Sequence, residues 1–388
     1  MEKKIKVLMV QRNYPHYRQA IFQKLATHPM IDFTLLYGDQ AGVGGIENVE
    51  NDPIVNCVVK PVSCLPLTQK KISVFPYMYE YVRNGDYDVL IVANDLYCLN
   101  LLPALKVARK RGKKICIFSI GFPQYRQWLR DKVRIWLAHK VDAMILYSYA
   151  HRQRYIDSGV PGEKIFVAPN AVDVDSIVAA EAKMTNETLE NFKKKNGFAG
   201  NPTIIHAGRL VENKRLDILI KAIAKIVKTI PNIKFISIGD GPMMITWQKL
   251  AQQLGVSENI HWPGSIVEQG ELCYWFHSSD ICVAPGQQGL IANLCHAYGL
   301  PLITSDCSRL QGPEIQVFTN GKTGLFYLYE DVDDLVAKME ELLNNRERRL
   351  QMGNEARRRI FEDFTVDKMC QGFIDGINYA LNKRYEIP

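Results

Sequence analysis

The chain has 388 residues, of which 47% are hydrophobic and 23% charged, and a formal net charge of +7. That length supports two α/β domains with separate cores, and the balance excludes a disordered or fibrous chain. The nine cysteines form no CxxC pair and no His/Cys cluster at zinc spacing, which excludes a disulfide framework and a zinc module.

The N-terminal run Met1–Val10 is a charged lead-in to a short apolar stretch that passes straight into Gln11-Arg12-Asn13. It is too short for a signal peptide and reads as a first buried strand. No apolar run reaches the ~18 residues of a membrane-spanning helix, so a cytoplasmic protein is expected. In the first half, β-type runs lie at Lys6–Val10, Asp32–Tyr37, Val89–Val92, Lys114–Ile120, Ala143–Tyr147 and Ile165–Val167. Helical spacing marks Arg18–Ala26, Tyr77–Asn84, Leu101–Arg111, Tyr125–His139 and Ala150–Ser158, and Gly38–Gly45 reads as a mobile loop. Cys116 lies inside one such strand and reads as a reduced core residue.

The first half closes around Pro169-Asn170-Ala171-Val172-Asp173. A polar segment, Glu181–Gly200, precedes a second alternating series. Its strands are Thr203–Ala207, Lys234–Gly239, Ile260–Trp262, Ile281–Ala284, Leu302–Thr304 and Gly324–Phe326. Its helices are Leu216–Ile230, Pro242–Leu254, Glu268–His277, Ile291–Tyr298, Val332–Asn345 and Arg346–Asp363, and a last helical pattern covers Thr365–Leu381. Strand–helix alternation predicts α/β layers on mainly parallel sheets. Two doubly wound domains are expected, residues 1–172 and 173–364, with the tail 365–388 returning to the first. Ligands of such domains bind at the carboxyl ends of the strands, here in a central cleft that the two domains face.

Between Lys106 and Arg154 stand thirteen lysines and arginines against two acids, Asp131 and Asp142. A basic face of this kind attracts an anionic membrane surface; a plainly solvated face is the alternative. No aromatic-and-basic RNA module is recognisable, so no nucleic-acid partner is expected. Trp128, Leu129, Ile135, Trp136 and Leu137, interleaved with Arg126, Arg130, Lys132 and Arg134, describe an amphipathic helix that is either interfacial or core-facing.

The most informative stretch is Gly208-Arg209-Leu210-Val211-Glu212-Asn213-Lys214. It joins the strand Thr203–Ala207 to a helix. Glycine lets backbone approach a ligand, a guanidinium grips phosphate oxygens in pairs, and a lysine five residues on adds a point charge. That arrangement suits a diphosphate; an ordinary loop with solvated cations would read the same.

At this point the chain resembles the retaining GT-B glycosyltransferases of the GT4 family (glycosyl transferases group 1). The motifs come in family order. Pro169–Asp173 is similar to its "PNGVD" segment, and His206–Leu210 with Lys214 to its "GRL…K" clamp. Ile238–Pro242 is similar to its "GxGP" turn and Val256–Gly264 to the strand after it. Ala284–Leu290, leading to Gly299-Leu300-Pro301, is similar to its sugar loop and helix, and Gly312–Ile315 with Asn320–Gly324 complete the set. The resemblance implies two Rossmann-like domains, an N-terminal one for the acceptor and a C-terminal one for a nucleoside-diphosphate sugar of UDP or GDP type, with no cofactor. It implies catalytic roles for Arg209, Lys214 and Glu314. Donor binding falls to Gly208, Ile266, Gln287, Gln288, Gly289, Leu290 and Ile291, the last three opening a helix whose free amides favour phosphate. On the acceptor side stand Asn13, His16, Arg18 and Asn94. His296 and Tyr298 read as packing.

Two departures stand out. The family's paired glutamates, E-x7-E, fall on Gly286 and Leu294, and its glycine-flanked histidine falls on Ile120. Asp86-Tyr87-Asp88 and Asp173-Val174-Asp175 match the DxD pattern of metal-dependent transferases, but the resemblance is to a metal-independent fold, so no metal is expected. The function expected is sugar transfer, with retention, to a hydroxyl of a lipid-linked glycan in capsule or lipopolysaccharide synthesis. That would place the protein at the inner face of the cell membrane. The rival is a relative of the same fold that has lost transfer chemistry and serves as a binding or scaffold protein.

Overall fold

The computed structural model describes residues 3–39, 48–64, 72–122 and 127–381. The glycine-rich Gly38–Gly45 stretch lies mostly outside them, as do Tyr125, Arg126 and the last seven residues. The chain divides into two compact units, one comprising Met1–Pro169 with Val366–Pro388, the other Asn170–Thr365.

The first unit contains β1 (Ile5–Gln11), α1 (Gln19–Thr27), β2 (Ile31–Gly38), β3 (Asn56–Lys60), β4 (Ser63–Cys64), β5 (Ser73–Val74), α2 (Pro76–Asn84), β6 (Val89–Ala93), α3 (Leu101–Lys110), β7 (Lys114–Ser119), α4 (Trp128–Lys140), β8 (Ala143–Leu146), α5 (Tyr149–Asp157) and β9 (Ile165–Val167). Seven strands form one parallel sheet in the order β3-β2-β1-β6-β7-β8-β9, and β4 and β5 make a small antiparallel ribbon. The near-continuous apolar strands follow from burial on both faces. The C-terminal helix, Val366–Ala380, belongs to this unit. Its Gly372 lies so close to the sheet that a Cβ would fall 2.3 Å from the Val167 carbonyl.

In the second unit follow α6 (Val174–Lys183), α7 (Asn186–Lys195), β10 (Thr203–Ala207), α8 (Leu216–Ile226), β11 (Lys234–Ile238), α9 (Met244–Gln253), β12 (Ile260–Gly264), α10 (Gln269–His277), β13 (Ile281–Ala284), α11 (Ile291–Ala297), β14 (Leu302–Ser305), β15 (Gly324–Tyr327), α12 (Val332–Leu343) and α13 (Arg346–Asp363). Its six-stranded parallel sheet has the order β12-β11-β10-β13-β14-β15. Alternate residues feed opposite cores: Ile204, Phe235 and Ile281 pack with α8, α9 and α12, whereas Ile205, Ile236 and Cys282 pack with α6, α10 and α11. In this unit the strand order reverses between β10 and β13, the place where open α/β sheets open a crevice.

The structure corrects several boundaries. The polar segment Glu181–Gly200 is largely helical. Helix α7 has only Leu189 and Phe192 as apolar groups, neither fully buried, with Phe192 packing on Tyr274 and Trp275; a Thr185/Thr188 capping box starts it. Edge strand β3 went unread because only its middle is apolar. The helix expected over Leu216–Ile230 ends at Ile226, short of Pro231.

Candidate active site

The loops after β10 and β13 meet at the switch point of the second unit. Backbone hydrogen bonds hold them together: the Gln287 amide donates to the Asn213 carbonyl at 2.9 Å and the Gly286 amide to the Lys214 carbonyl at 3.2 Å. The Asn213 side chain adds a bond to Gln287 Oε1 at 2.6 Å. This approach requires Gly286, since a Cβ there would stand 2.2 Å from the Asn213 carbonyl oxygen. On the other side of the β10 loop, Gly239 adopts φ +132°, and a Cβ would lie 2.0 Å from the Gly208 carbonyl oxygen. Leu210 is fixed there by its amide on the Asp240 carbonyl at 2.8 Å.

Lys214 reaches across the switch point. Its Nζ donates to the Gln287 carbonyl at 2.6 Å and the Gln288 carbonyl at 3.2 Å. It also lies 3.6 Å from the Cβ position of Gly289, which has φ +58°. Burial lowers its pKa to about 8, against which the nearby Glu314 carboxylate acts. Arg215, in the left-handed region at φ 51°, is held by Asp217, Glu330 and the Tyr329 hydroxyl, and so fixes the turn that aims Lys214. Arg209 has no side-chain hydrogen bond or ion pair among the described residues, which leaves its guanidinium available to an anion. The amides of Gly289, Leu290 and Ile291 precede or open α11, which begins at Ile291, as the sequence places it, with Leu290 as its N-cap. Such amides have no intrahelical partner.

Beneath these two loops lies a group of buried polar side chains. His206 is fully buried on β10; its Nδ1 donates to the Val283 carbonyl at 3.0 Å, and its Nε2 has no partner. Burial, helped by the charge of Lys214, lowers its pKa to about 4, so it is neutral. Gln288 is 1% exposed with both amide atoms unpartnered. Glu314, buried in a 3-10 turn, accepts from Asn170 Nδ2 at 2.6 Å, and Asn293 Nδ2 donates to the Asn170 carbonyl at 2.8 Å, leaving Asn293 Oδ1 free. Unmet buried donors and acceptors cost about 1–3 kcal/mol each. Their clustering beside the cation pair is what a polyhydroxy ligand would satisfy. Ile266 follows β12 and packs against the neighbouring core.

The structure brings Arg209, Lys214, Glu314, Gly208 and residues 287–291 to this one strand end. Sequence reasoning missed His206, Asn170, Asn213 and Asn293. His206 hides inside an apolar strand run; Asn170 lies in a segment read as a domain boundary and a family motif, with no side-chain role given to it. His296, fully buried with no partner for either nitrogen, and Tyr298, stacked on Phe276 with centroids 4.7 Å apart, are packing residues as expected.

The residues expected on the acceptor side lie in the first unit, Asn13, His16 and Arg18 after β1 and Asn94 after β6, on either side of that sheet's own reversal. His16 is exposed and Asn94 Nδ2 donates to Ser119 Oγ at 3.4 Å. Arg18 is buried, with its guanidinium 4.6 Å from the Tyr147 ring centroid and 5.6 Å from that of Phe118. Of the DxD acids, Asp86 pairs with Lys6, and Asp173 caps α6 through the Ser176 amide. Among the described residues no three His, Cys, Asp or Glu side chains gather into a metal-binding group.

Two family models match the chain: Glycosyltransferase Family 4 over residues 33–176 and Glycosyl transferases group 1 over residues 188–359. Together they span most of its length. The chain is 27% identical over 283 residues to an uncharacterized 41.2 kDa protein in the cps region of Klebsiella pneumoniae, covering 69% of this chain and 73% of that protein. It is 24% identical over 247 residues to the GDP-mannose-dependent alpha-(1-6)-phosphatidylinositol monomannoside mannosyltransferase of Mycobacterium tuberculosis, covering 60% of this chain and 61% of the relative. The fold is that of Anabaena HepE, solved in complex with UDP and glucose, with a TM-score of 0.72 at 16% identity over 96% of this chain and 99% of that one. Two parallel-sheet Rossmann-like domains with a glycine-walled, cationic strand end define a GT-B transferase. The chain belongs to the group 1 glycosyltransferases, the GT4-like family.

Proposed function

We propose that the protein transfers a sugar, with retention of anomeric configuration, from a nucleoside-diphosphate donor to a hydroxyl of a lipid-linked glycan in surface-polysaccharide synthesis. The observation that carries the donor reading is the pair Arg209 and Lys214 at the switch point, beside the start of α11. The similarity of the fold to a protein that binds UDP favours a uridine donor. The relative in a cps region favours a capsule-type product, and the mannosyltransferase relative a lipid acceptor.

In the reaction the bond between the sugar's anomeric carbon and the donor phosphate oxygen breaks. The acceptor oxygen bonds to that carbon on the same face, and its proton passes to a phosphate oxygen of the departing diphosphate. Arg209 and Lys214 stabilise the charge that develops there, and fixed charges of this kind supply most of the rate acceleration in such a step. No metal is needed for that task where Lys214 is held in place and Arg209 is free to close on the diphosphate. Gln288, Asn293 and Glu314 orient the sugar hydroxyls. Asn13, His16, Arg18 and Asn94 receive the acceptor, and the protein works peripherally at the cytoplasmic membrane face. Calorimetric titration with UDP, GDP and their sugar conjugates tests the donor assignment. Binding of one nucleotide that depends on Lys214 is expected; no binding of either nucleotide would refute it.

A further inference from the structure

Helix α4 is amphipathic in the reverse sense. Its buried side carries Leu137 and Ala138 but also Asp131 and Arg134, joined at 2.8 Å. Its outer side carries Trp128, 57% exposed, Leu129, 61% exposed, and Trp136, 50% exposed, together with Val133. At 3.6 residues per turn, positions 128, 129, 132, 133, 136 and 140 fall within an arc of about 140°. The helix therefore turns its two tryptophans out and its one acid in, which is neither of the patterns that a core-facing helix or a solvated helix adopts.

Helix α3 continues the surface. The two helices run side by side: Arg130 lies over the ring of Tyr97, just before α3, at 4.2 Å from its centroid, and Arg109 donates to the Lys140 carbonyl at the other end. Leu99 and Leu102 are exposed at the start of α3. Around these apolar groups stand Lys106, Lys110, Lys132 and Lys140, none in an ion pair among the described residues. Neither helix has an exposed acid; Lys132 lies 4.8 Å from the Trp128 ring centroid.

We propose that the outer face of α3 and α4 is a bilayer-docking surface for anionic phospholipid, with Trp128, Leu129 and Trp136 entering the headgroup layer and the four lysines meeting lipid phosphates. Tryptophan suits that depth because its ring is apolar and its N–H polar. Lysines beside it gain from the negative surface potential. A second copy of the chain is a poor occupant, because it would bring the same lysines face to face with no acid to meet them. The choice of a bilayer rests on the lipid-linked acceptor proposed above; the surface itself does not.

The test is cosedimentation of the full chain with phosphatidylcholine vesicles, with and without phosphatidylglycerol, alongside tryptophan emission. Binding with a blue shift is expected only when phosphatidylglycerol is present. The double substitution Trp128→Gln/Trp136→Gln should abolish both signals. Lys106→Gln/Lys132→Gln should weaken the partition roughly 25-fold, from a fivefold loss per cation. All four side chains are exposed, so neither variant should unfold. Failure of the wild type to sediment with phosphatidylglycerol vesicles would overturn the proposal. So would equal binding by the variants, or concentration-dependent self-association that the tryptophan substitutions remove. Nucleotide binding, measured with UDP and GDP without vesicles, should be the same in wild type and variants; absence of both in wild type would refute the donor assignment and leave the docking surface standing.

Discussion

Replacing Lys214 by methionine keeps the apolar stem and removes the charge. In the structure that charge donates to two carbonyls, Gln287 at 2.6 Å and Gln288 at 3.2 Å, and it faces the place proposed for the diphosphate. A hydrogen bond to a charged group contributes about 1.5–3 kcal/mol. Loss of the phosphate contact, with some loosening of the loop, should cost about 3 kcal/mol of donor binding, or roughly 150-fold in Kd. The pH dependence provides an independent check. Burial lowers the pKa of Lys214 to about 8. Donor binding needs the ammonium, so wild-type affinity should be flat below about pH 8 and fall above it. It should be about tenfold weaker at pH 9 than at pH 7. In Lys214→Met that step should vanish. Stability moves the other way. A lowered lysine pKa means that the folded state disfavours the proton, so this group weakens the fold below pH 8, and the penalty fades as pH rises towards 10.5. Removing it offsets the two lost hydrogen bonds, and the melting temperature at pH 7 should stay close to wild type. Calorimetric UDP titrations across about pH 6.5–9.5, with scanning calorimetry of both proteins, measure all of this. A variant that binds UDP as tightly as wild type, or keeps the alkaline step, would refute the reasoning.

Glu314→Gln keeps an acceptor for Asn170 but removes the carboxylate that supports the charge of Lys214, so the alkaline midpoint of UDP binding should move to lower pH; an unmoved midpoint would separate the two residues. Gly286→Ala places a methyl group 2.2 Å from the Asn213 carbonyl oxygen and should cost about 1–3 kcal/mol in urea unfolding, with weaker UDP binding. His206 and His296, buried and neutral with pKa values of about 4 and 3, bind fewer protons folded than unfolded. Stability should therefore fall as pH drops below about 6.5, with each histidine removing roughly 1.4 kcal/mol per pH unit until its folded pKa is passed. His296→Met should flatten that acid limb, and a limb as steep as in wild type would show that His296 does not drive it.

Much of the second unit was legible because its strands are buried on both faces and therefore read as unbroken apolar runs. The cationic loop was legible because Gly208, Arg209 and Lys214 lie within one short stretch of the sequence. What escaped was set by neighbours distant in the chain. Glu314 meets Asn170 across 144 positions, and the family motif that contains that asparagine does not reveal its partner. His206 continues an apolar strand, and only its unpartnered Nε2 beside the clamp marks it out. Helix α4 stayed undecided between two faces for a related reason. Its sequence gives the same alternation whether the tryptophans face the core or water, and the choice is made by a buried Asp131–Arg134 pair that periodicity does not reveal.

The departures from the family pattern acquire a physical meaning in this setting. Where the resemblance expects the first of two glutamates, the chain has Gly286, and the backbone of the 209–214 loop occupies the space a side chain would need. The close approach of the two loops, fixed by the Gln287 amide on Asn213 and the Lys214 amine on two carbonyls, is therefore incompatible with restoring the acid there. In the proposed transfer, polar contact with the donor sugar comes from elsewhere. The unpartnered groups that remain buried beside the clamp are the amide of Gln288, the Asn293 oxygen and the neutral nitrogen of His206. A site that exchanges a carboxylate for amides and a neutral imidazole keeps more of the positive field of Arg209 and Lys214. In the proposed transfer that favours the leaving diphosphate over the sugar, and it would tie the strength of donor binding to the protonation of one lysine.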